Sequence, residues 1–287
     1  MTPSQSSSKR DLSVIIPASN EEATLDAVLR EVEQVHPMEV IVIVNGSRDS
    51  TARIAEARHH HVVEFTERLG HDVGRAVGAR LASGKALLFV DADMVIPWTE
   101  PFVHAIDAGY DVALNDIDAI VRKYPWDPVS VQKVWLNVCL NQQQLQTASL
   151  TAVPHALGRD VFQHITPEDL AVPPKAYAKL VVAHARVTRA HSVDVVTNNK
   201  IHAWHGWKGG HNLMEELIVG DHLEALAWLR DHQEVVPSSP FVLSTAKEGR
   251  AAPPSRSPTA PAPERKAWLE EALHGLWRWI ARHNDKP

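Results

Sequence analysis

Cysteine occurs once in these 287 residues, at Cys139, so no intramolecular disulfide can form and the chain fits a reducing compartment. Long apolar runs are also missing. The longest are strand-sized, which argues against a transmembrane span, and the serine-rich stretch Met1–Arg10 has no leader-like apolar segment. The expectation is a cytoplasmic protein whose residues 1–10 are disordered. No long basic run is present and the formal net charge is −6, so nucleic acid is not an expected partner. Nor does a glycine-rich loop follow the first apolar run, where Pro17-Ala18-Ser19-Asn20 stands instead. That absence argues against the G-x-G-x-x-G turn of a dehydrogenase and the phosphate loop of a sugar-nucleotide pyrophosphorylase.

What is present is alternation. Leu12–Pro17 is a β-branched run closed by proline and reads as a buried strand. Ser19 and Glu22 have capping-box spacing, ahead of Leu25, Val28, Leu29 and Val32 at helical period. Val40–Val44 is a second strand, Asn45-Gly46-Ser47 a turn, and a short helix starts near Ser50. Val62–Phe65, then a small-residue helix over Val73–Ala82, then Leu87–Val90 continue the series. The pattern predicts an α/β fold with a mostly parallel, helix-flanked sheet.

After about Asp111 the alternation weakens. Helices are expected over Val131–Leu145 and Ala176–Ala183, with a strongly amphipathic one over Glu215–Arg230. A loop between them carries His202, Trp204, His205, Trp207 and His211. Residues 250–263 are a Pro/Ala/Ser linker. An amphipathic C-terminal helix is expected over 264–287, with Trp268 and Trp277 on a broad apolar face. That face is costly to leave in water, so the helix is read as a docking element. Its candidate partners are the body of the protein, a second copy in a homodimer, or peripherally the inner face of a membrane.

The residues with the most chemistry are Leu87-Leu88-Phe89-Val90-Asp91-Ala92-Asp93, an apolar run ending in two carboxylates. A buried strand delivers such a pair to the carboxyl edge of a sheet, where open α/β folds bind ligands. Mg²⁺ or Mn²⁺ held by one or two carboxylates can bridge the phosphates of a nucleotide there.

The first 95 residues resemble family 2 glycosyltransferases of GT-A fold, in four pieces that occur in the family's order. Val14-Ile15-Ile16-Pro17-Ala18-Ser19-Asn20-Glu21-Glu22 is similar to the opening strand and Pro-x-x-Asn-Glu turn. Val42-Ile43-Val44-Asn45-Gly46-Ser47-Arg48-Asp49-Ser50-Thr51 resembles the second-strand Asp-Asp-Gly-Ser-x-Asp-x-Thr, with Val44 and Asn45 replacing both initial acids. Gly74-Arg75-Ala76 through Arg80 is similar to the Gly-Lys-Gly helix start, and Asp91-Ala92-Asp93 is the Asp-x-Asp.

The resemblance implies a GT-A domain over residues 11–249, its nucleotide-binding half at 11–98 and its acceptor half at 99–249. It implies transfer from a nucleoside-diphosphate sugar, UDP-linked by preference, to a glycan, lipid or small-molecule acceptor, with Mn²⁺ or Mg²⁺. Nucleotide-sugar contacts then fall to Pro17, Ala18, Asn20, Glu21, Asn45, Ser47, Gly74, Arg75, Asp91 and Ala92. An amide at Asn45 can still pair with a uracil edge, and Arg75 at a helix start can meet phosphate. Metal ligation falls to Asp93 and Asp91, with a histidine of the later loop as a further candidate ligand: His202, His205 and His211 are all possible, and His205 is the one taken. Inverting members place a Glu-Asp pair at the acceptor hydroxyl, and Glu168-Asp169 is the candidate catalytic pair, with Asp169 as the base. Here the pair precedes Leu170–Pro174, so its use requires that segment to cross the cleft floor in extended form. A retaining enzyme, or a degenerate nucleotide-binding module, is the alternative.

Overall fold

Side chains alternate faces along a strand, and the apolar residues here fill both faces of a central sheet. The computed structural model describes residues 9–97, 99–122, 127–195, 207–208 and 211–232. The chain parts into residues 1–232 and 233–287, and only the first unit holds described residues. Four strands alternate with three helices: β1 (Arg10–Ala18), α1 (Leu25–Glu33), β2 (Pro37–Asn45), α2 (Thr51–Ala57), β3 (His61–Phe65), α3 (Val73–Leu81) and β4 (Ala86–Phe89). Then come α4 (Glu100–Asp107), β5 (Val112–Asn115), α5 (Asp118–Val121), α6 (Pro128–Cys139), β6 (His155–Gly158), α7 (Pro173–Val182) and β7 (Val187–His191). A two-residue pairing of β8 (Trp207–Lys208) with β9 (His211–Asn212) leads into α8 (Leu213–His232).

The seven-stranded sheet has the order β3-β2-β1-β4-β6-β5-β7. Only β6 runs antiparallel to its neighbours. The mostly parallel, helix-flanked sheet expected from the sequence is therefore present. Val14, Ile15 and Ile16 are all fully buried, as a strand covered on both faces requires. Ile15, Ile41, Ile43, Leu87 and Phe89 pack with α3, α6, α7 and α8 on one face. Val14, Ile16, Val42, Leu88 and Val90 pack with α1, α2 and α4 on the other. Each fully buried Leu or Ile contributes about 1.5–3 kcal/mol, so this layering fixes where every strand ends.

Several local expectations are corrected. Ser19 and Glu22 form no capping box, because α1 begins after Thr24. Residues 19–22 are instead tied to the loop after β2. The Asn20 N–H donates to Ser47 Oγ (3.0 Å), the Glu21 N–H to Thr51 Oγ1 (2.8 Å) and the Glu22 N–H to Asp49 Oδ2 (3.0 Å). In return Asn20 Oδ1 accepts from Arg48 N–H and Glu22 Oε2 from Ser50 N–H. The helix expected over Val131–Leu145 stops at Cys139, followed by Asn141 in the left-handed region at φ 58°.

Leu170–Pro174 is not extended. Pro167–Ala171 is a 3₁₀ turn, and Pro173 and Pro174 open α7, where a missing N–H costs nothing. The helix called strongly amphipathic, α8, buries His222, Ala225 and Leu229 while leaving Leu213, Leu217 and Leu223 exposed. Its apolar residues thus divide between two faces. His202, Trp204 and His205, the 250–263 linker and the 264–287 helix lie outside the described residues.

Candidate active site

Parallel strands deliver their carboxyl ends to one edge, and the loops leaving β1, β2, β3 and β4 meet there around a cleft of about 350 Å³. Pro17, Ala18, Ser19 and Glu21 form one wall, Asn45, Arg68, Gly70 and His71 a second, and Arg75 with Asp91, Ala92 and Asp93 the floor. Leu213, Met214 and Leu217, at the start of α8, close the remaining side.

The floor depends on how near α3 lies to the sheet. A Cβ at Gly78 would sit 2.3 Å from Ile15 Cγ2, and one at Gly74 3.0 Å from Pro17 Cβ. Only hydrogen fits at Gly78, and this close approach carries Arg75 to Asp91. Arg75 Nη2 donates to both Asp91 oxygens (3.0 and 3.2 Å), while Nη1 pairs with Asp72. Burial works against the charges of this pair, but each partner's opposite charge outweighs it. Arg75 is held above the ordinary guanidinium range by Asp91 and Asp72, and Asp91 below the ordinary carboxylate range by Arg75 and His71.

His155, opposite Phe89 on β6 and stacked on it at 4.8 Å, lies beside this pair. Burial, reinforced by Arg75, pushes its pKa down to about 3, so the ring is neutral at physiological pH. Its Nδ1 lies 3.1 Å from the Ala152 carbonyl, which can only accept, so the proton sits on Nδ1.

The sequence candidates divide clearly. Pro17, Ala18, Glu21, Asn45, Arg75, Asp91, Ala92 and Asp93 all line the cleft. Asn20 and Ser47 bond to one another's loops behind it, and Gly74 is the contact beneath Pro17. Asn45 lines the cleft, but its amide is engaged. Oδ1 accepts the Leu69 N–H (2.8 Å) and Nδ2 donates to the Gly70 carbonyl (2.8 Å), so Asn45 pins the Arg68–His71 loop. Arg75, expected to meet phosphate, spends its charge on two carboxylates.

The structure does not bring Glu168 and Asp169 to the cleft. Glu168 pairs with Arg80, five residues or about 7.5 Å along α3 from Arg75 and away from the carboxyl edge. Asp169 Oδ2 accepts the Thr166 N–H in a capping box, and Oδ1 accepts from Lys179 at 2.5 Å. Both acids have structural partners because the 3₁₀ turn that carries them packs along α3, which holds Arg80, and against α7, which holds Lys179.

Sequence reasoning missed Arg68, Gly70 and His71, and the start of α8. Gly70, at φ 127° in a loop leaving a parallel strand, was the available signal for the first group. No local signal marks Leu213, Met214 and Leu217.

A second Asp-x-Asp also escaped notice. Asp116-Ile117-Asp118 follows β5, and Leu88 and Ala113 both face Ala156, so the two tripeptides begin at the same level. The pairs are two strands apart, roughly 10 Å. Asp118 is buried, its Oδ1 accepting from the Thr147 N–H (3.0 Å) and hydroxyl and its Oδ2 from Arg189 (2.7 Å). Asp116 accepts the Asp118 N–H and pairs with Arg189 at 3.4 Å.

Known proteins share this architecture. The undecaprenyl-phosphate 4-deoxy-4-formamido-L-arabinose transferase of Pseudomonas fluorescens is 28% identical over 131 residues, 40% of this chain and 39% of that protein. The glucosyl-3-phosphoglycerate synthase of Mycobacterium tuberculosis is 30% identical over 149 residues, 45% of this chain and 42% of that one. The matched stretches thus span about two-fifths of these curated relatives. A crystal structure of the mycobacterial synthase with Mn²⁺, UDP and phosphoglyceric acid superposes with a TM-score of 0.56 at 16% identity, over 77% of this chain and 78% of that one. This likeness establishes the GT-A fold. The family model for glycosyl transferase family 2 matches residues 13–166, more than half of the sequence and every strand that builds the cleft, and the chain belongs to that family.

Proposed function

We propose that the chain transfers a glycosyl group from a nucleoside-diphosphate sugar, UDP-linked by preference, to an acceptor, with Mn²⁺ or Mg²⁺ as cofactor. The observation that carries this reading is the convergence of Asp91 and Asp93 with the Pro17–Glu21 wall in one cleft at the carboxyl edge. The donor chemistry fits the metal. Two carboxylates supply hard oxygens, and no third His, Cys, Asp or Glu among the described residues joins them in a closed cage. Such a partial set suits an ion that completes its shell with diphosphate and water. Asp93 would ligate it directly, with Asp91 beside it. When bound, the ion neutralises charge on the departing diphosphate.

The protein's own residues do the remaining work. Pro17 and Ala18 offer a flat wall for the base, and Glu21 an acceptor for ribose hydroxyls. Arg68 stands where a cation can meet the donor, with His71 beside it on the same wall. Ser19 Oγ, within 3.2 Å of the Arg68 guanidinium, holds that arginine across the cleft.

Solved complexes of the mycobacterial synthase with Mn²⁺ or Mg²⁺ and UDP support the choice of cofactor and base. The names of the relatives share an acceptor bearing a phosphate group, and a phosphate-bearing acceptor is the working class for this chain. The inverting course drew on Glu168-Asp169, which Arg80 and Lys179 hold outside the cleft, so stereochemistry is assigned by the product alone.

The test is UDP release from UDP-sugars with Mn²⁺, against undecaprenyl phosphate and 3-phosphoglycerate as acceptors. NMR of the product then gives its anomeric configuration. Metal-stimulated release with one acceptor is expected. Tight UDP binding without release under any combination would make the protein a binding module, and absence of UDP binding would overturn the reading.

A further inference from the structure

Arg75 is 4% exposed and Asp72 is 6% exposed, which puts an ion pair almost wholly inside the protein at the start of α3. The same guanidinium reaches both oxygens of Asp91, and the charge of Asp93 acts on it as well. One buried cation therefore serves three carboxylates, two of which line the cleft. A cation in this position cannot swing out to a diphosphate without abandoning Asp72, and an uncompensated buried charge is strongly unfavourable.

We propose that Arg75, anchored by Asp72, is a positioning residue whose fixed charge offsets that of the Asp91–Asp93 pair and so sets its affinity for a divalent cation. The inference rests on the metal-dependent reading above. It assigns to Asp72, which is not among the residues lining this cleft, a part in tuning the site, and it removes Arg75 from the phosphate-binding role that its helix-start position suggested.

Charge counting makes the proposal testable, because the four side chains carry three negative charges and one positive. Removing the arginine leaves three negatives, whereas neutralising Asp72 leaves Asp91 and Asp93 facing a cation no longer shared. A merely structural role predicts that either change disorders the floor and weakens metal binding. A charge-setting role predicts opposite signs.

The experiment titrates the full chain with Mn²⁺ alone, following free Mn²⁺ by electron paramagnetic resonance, with circular dichroism as a check on folding. Arg75→Gln should tighten Mn²⁺ binding at least about tenfold and Asp72→Asn should weaken it several-fold, as expected for a unit charge within several ångströms of a divalent ion. Arg75→Lys keeps the charge but loses the planar fork that spans two carboxylates. It should bind Mn²⁺ within about threefold of wild type. Weaker or unchanged binding in Arg75→Gln, or tighter binding in Asp72→Asn, overturns the proposal. If Arg75→Gln does not fold, the double variant Asp72→Asn/Arg75→Gln, which removes the buried pair and leaves the summed charge unchanged, decides: affinity restored above that of Asp72→Asn supports the proposal, and affinity at or below it overturns the proposal. A separate arm adds UDP. Failure of wild type to bind Mn²⁺ more tightly with UDP counts against the function proposed above, while the Mn²⁺-alone arm still reads the role of Arg75.

Discussion

β4 runs into Asp91-Ala92-Asp93 and β5 into Asp116-Ile117-Asp118, in parallel strands and at the same level of the sheet. The two pairs of acids nevertheless have different surroundings. Asp118 has both oxygens filled by Thr147 and Arg189, groups of its own neighbourhood, and joins the loop before β6 to β7. Asp91, whose oxygens also accept from a buried arginine, still faces with Asp93 a cleft whose walls come from four strand ends and a distant helix. A strand-terminal Asp-x-Asp is thus a structural strut at β5 and, under the proposed function, a ligand site at β4, according to what the chain supplies around it. The tripeptide alone does not distinguish them.

The largest expected effect breaks the strut. Asp118→Ala leaves the buried Thr147 N–H and hydroxyl without their acceptor and Arg189 with only its 3.4 Å pairing to Asp116, and should cost about 3 kcal/mol of unfolding free energy. Denaturant titration reads this, and a loss below about 1 kcal/mol would erase the distinction.

Asp93→Ala should do the reverse. The midpoint of unfolding should hardly move, while kcat/KM with Mn²⁺ falls roughly 100-fold, about 2.7 kcal/mol of transition-state stabilisation. Equal losses of stability and turnover would mean that Asp93 too is a strut.

The third effect is acid sensitivity. His222 on α8 is fully buried, and burial, helped by Lys133, pushes its pKa down to about 4 from 6.5. His155 lies at about 3 for related reasons. Between pH 6.5 and these values the unfolded chain binds protons that the folded chain does not, so stability falls as pH falls. Asp221, pushed up to about 6 chiefly by burial and by Asp72, opposes this between about 6 and 3.8, because there the folded chain is the one that binds the proton. The two histidines outweigh the single acid. His222→Asn keeps a donor for the Ile218 carbonyl and should flatten the loss by on the order of 2 kcal/mol between pH 6.5 and 4. An unchanged slope in thermal scans would place the acid sensitivity elsewhere.

The smallest effect concerns a third acid pair. Asp169→Asn should cost about 1 kcal/mol, the worth of a helix cap with a partly exposed ion pair, and leave turnover intact. Collapse of transfer in a folded Asp169→Asn protein would instead restore Asp169 as the acceptor-side base.

Legibility in the sequence followed range. β1 to β4 and the helices between them could be read because period-2 and period-3.6 patterns are local, and Leu25, Val28, Leu29 and Val32 are the buried residues of α1. Asp91 and Asp93 could be read for the same reason, as the end of a buried run. What escaped was every assignment decided by a partner far along the chain. Asn45 looked like a base-reading amide, but its bonds go to residues 24 and 25 positions away. Glu168 looked catalytic, but it pairs with Arg80, 88 positions earlier, and does not line the cleft. The wall at Leu213–Leu217 comes from a helix more than 100 positions beyond Asp93, and no spacing rule connects the two.

Gly78 has a consequence for how variation in this protein would be interpreted. It does not line the cleft, yet any side chain there would meet Ile15 and lift α3 off the sheet. Arg75 would rise with the helix, and the bonds to Asp91 would lengthen first. A saturation screen scored on transfer alone would therefore rank Gly78 beside Asp93 as intolerant. Only a paired screen for abundance could tell the spacer, whose replacement lowers both readings, from the proposed ligand, whose replacement would lower one.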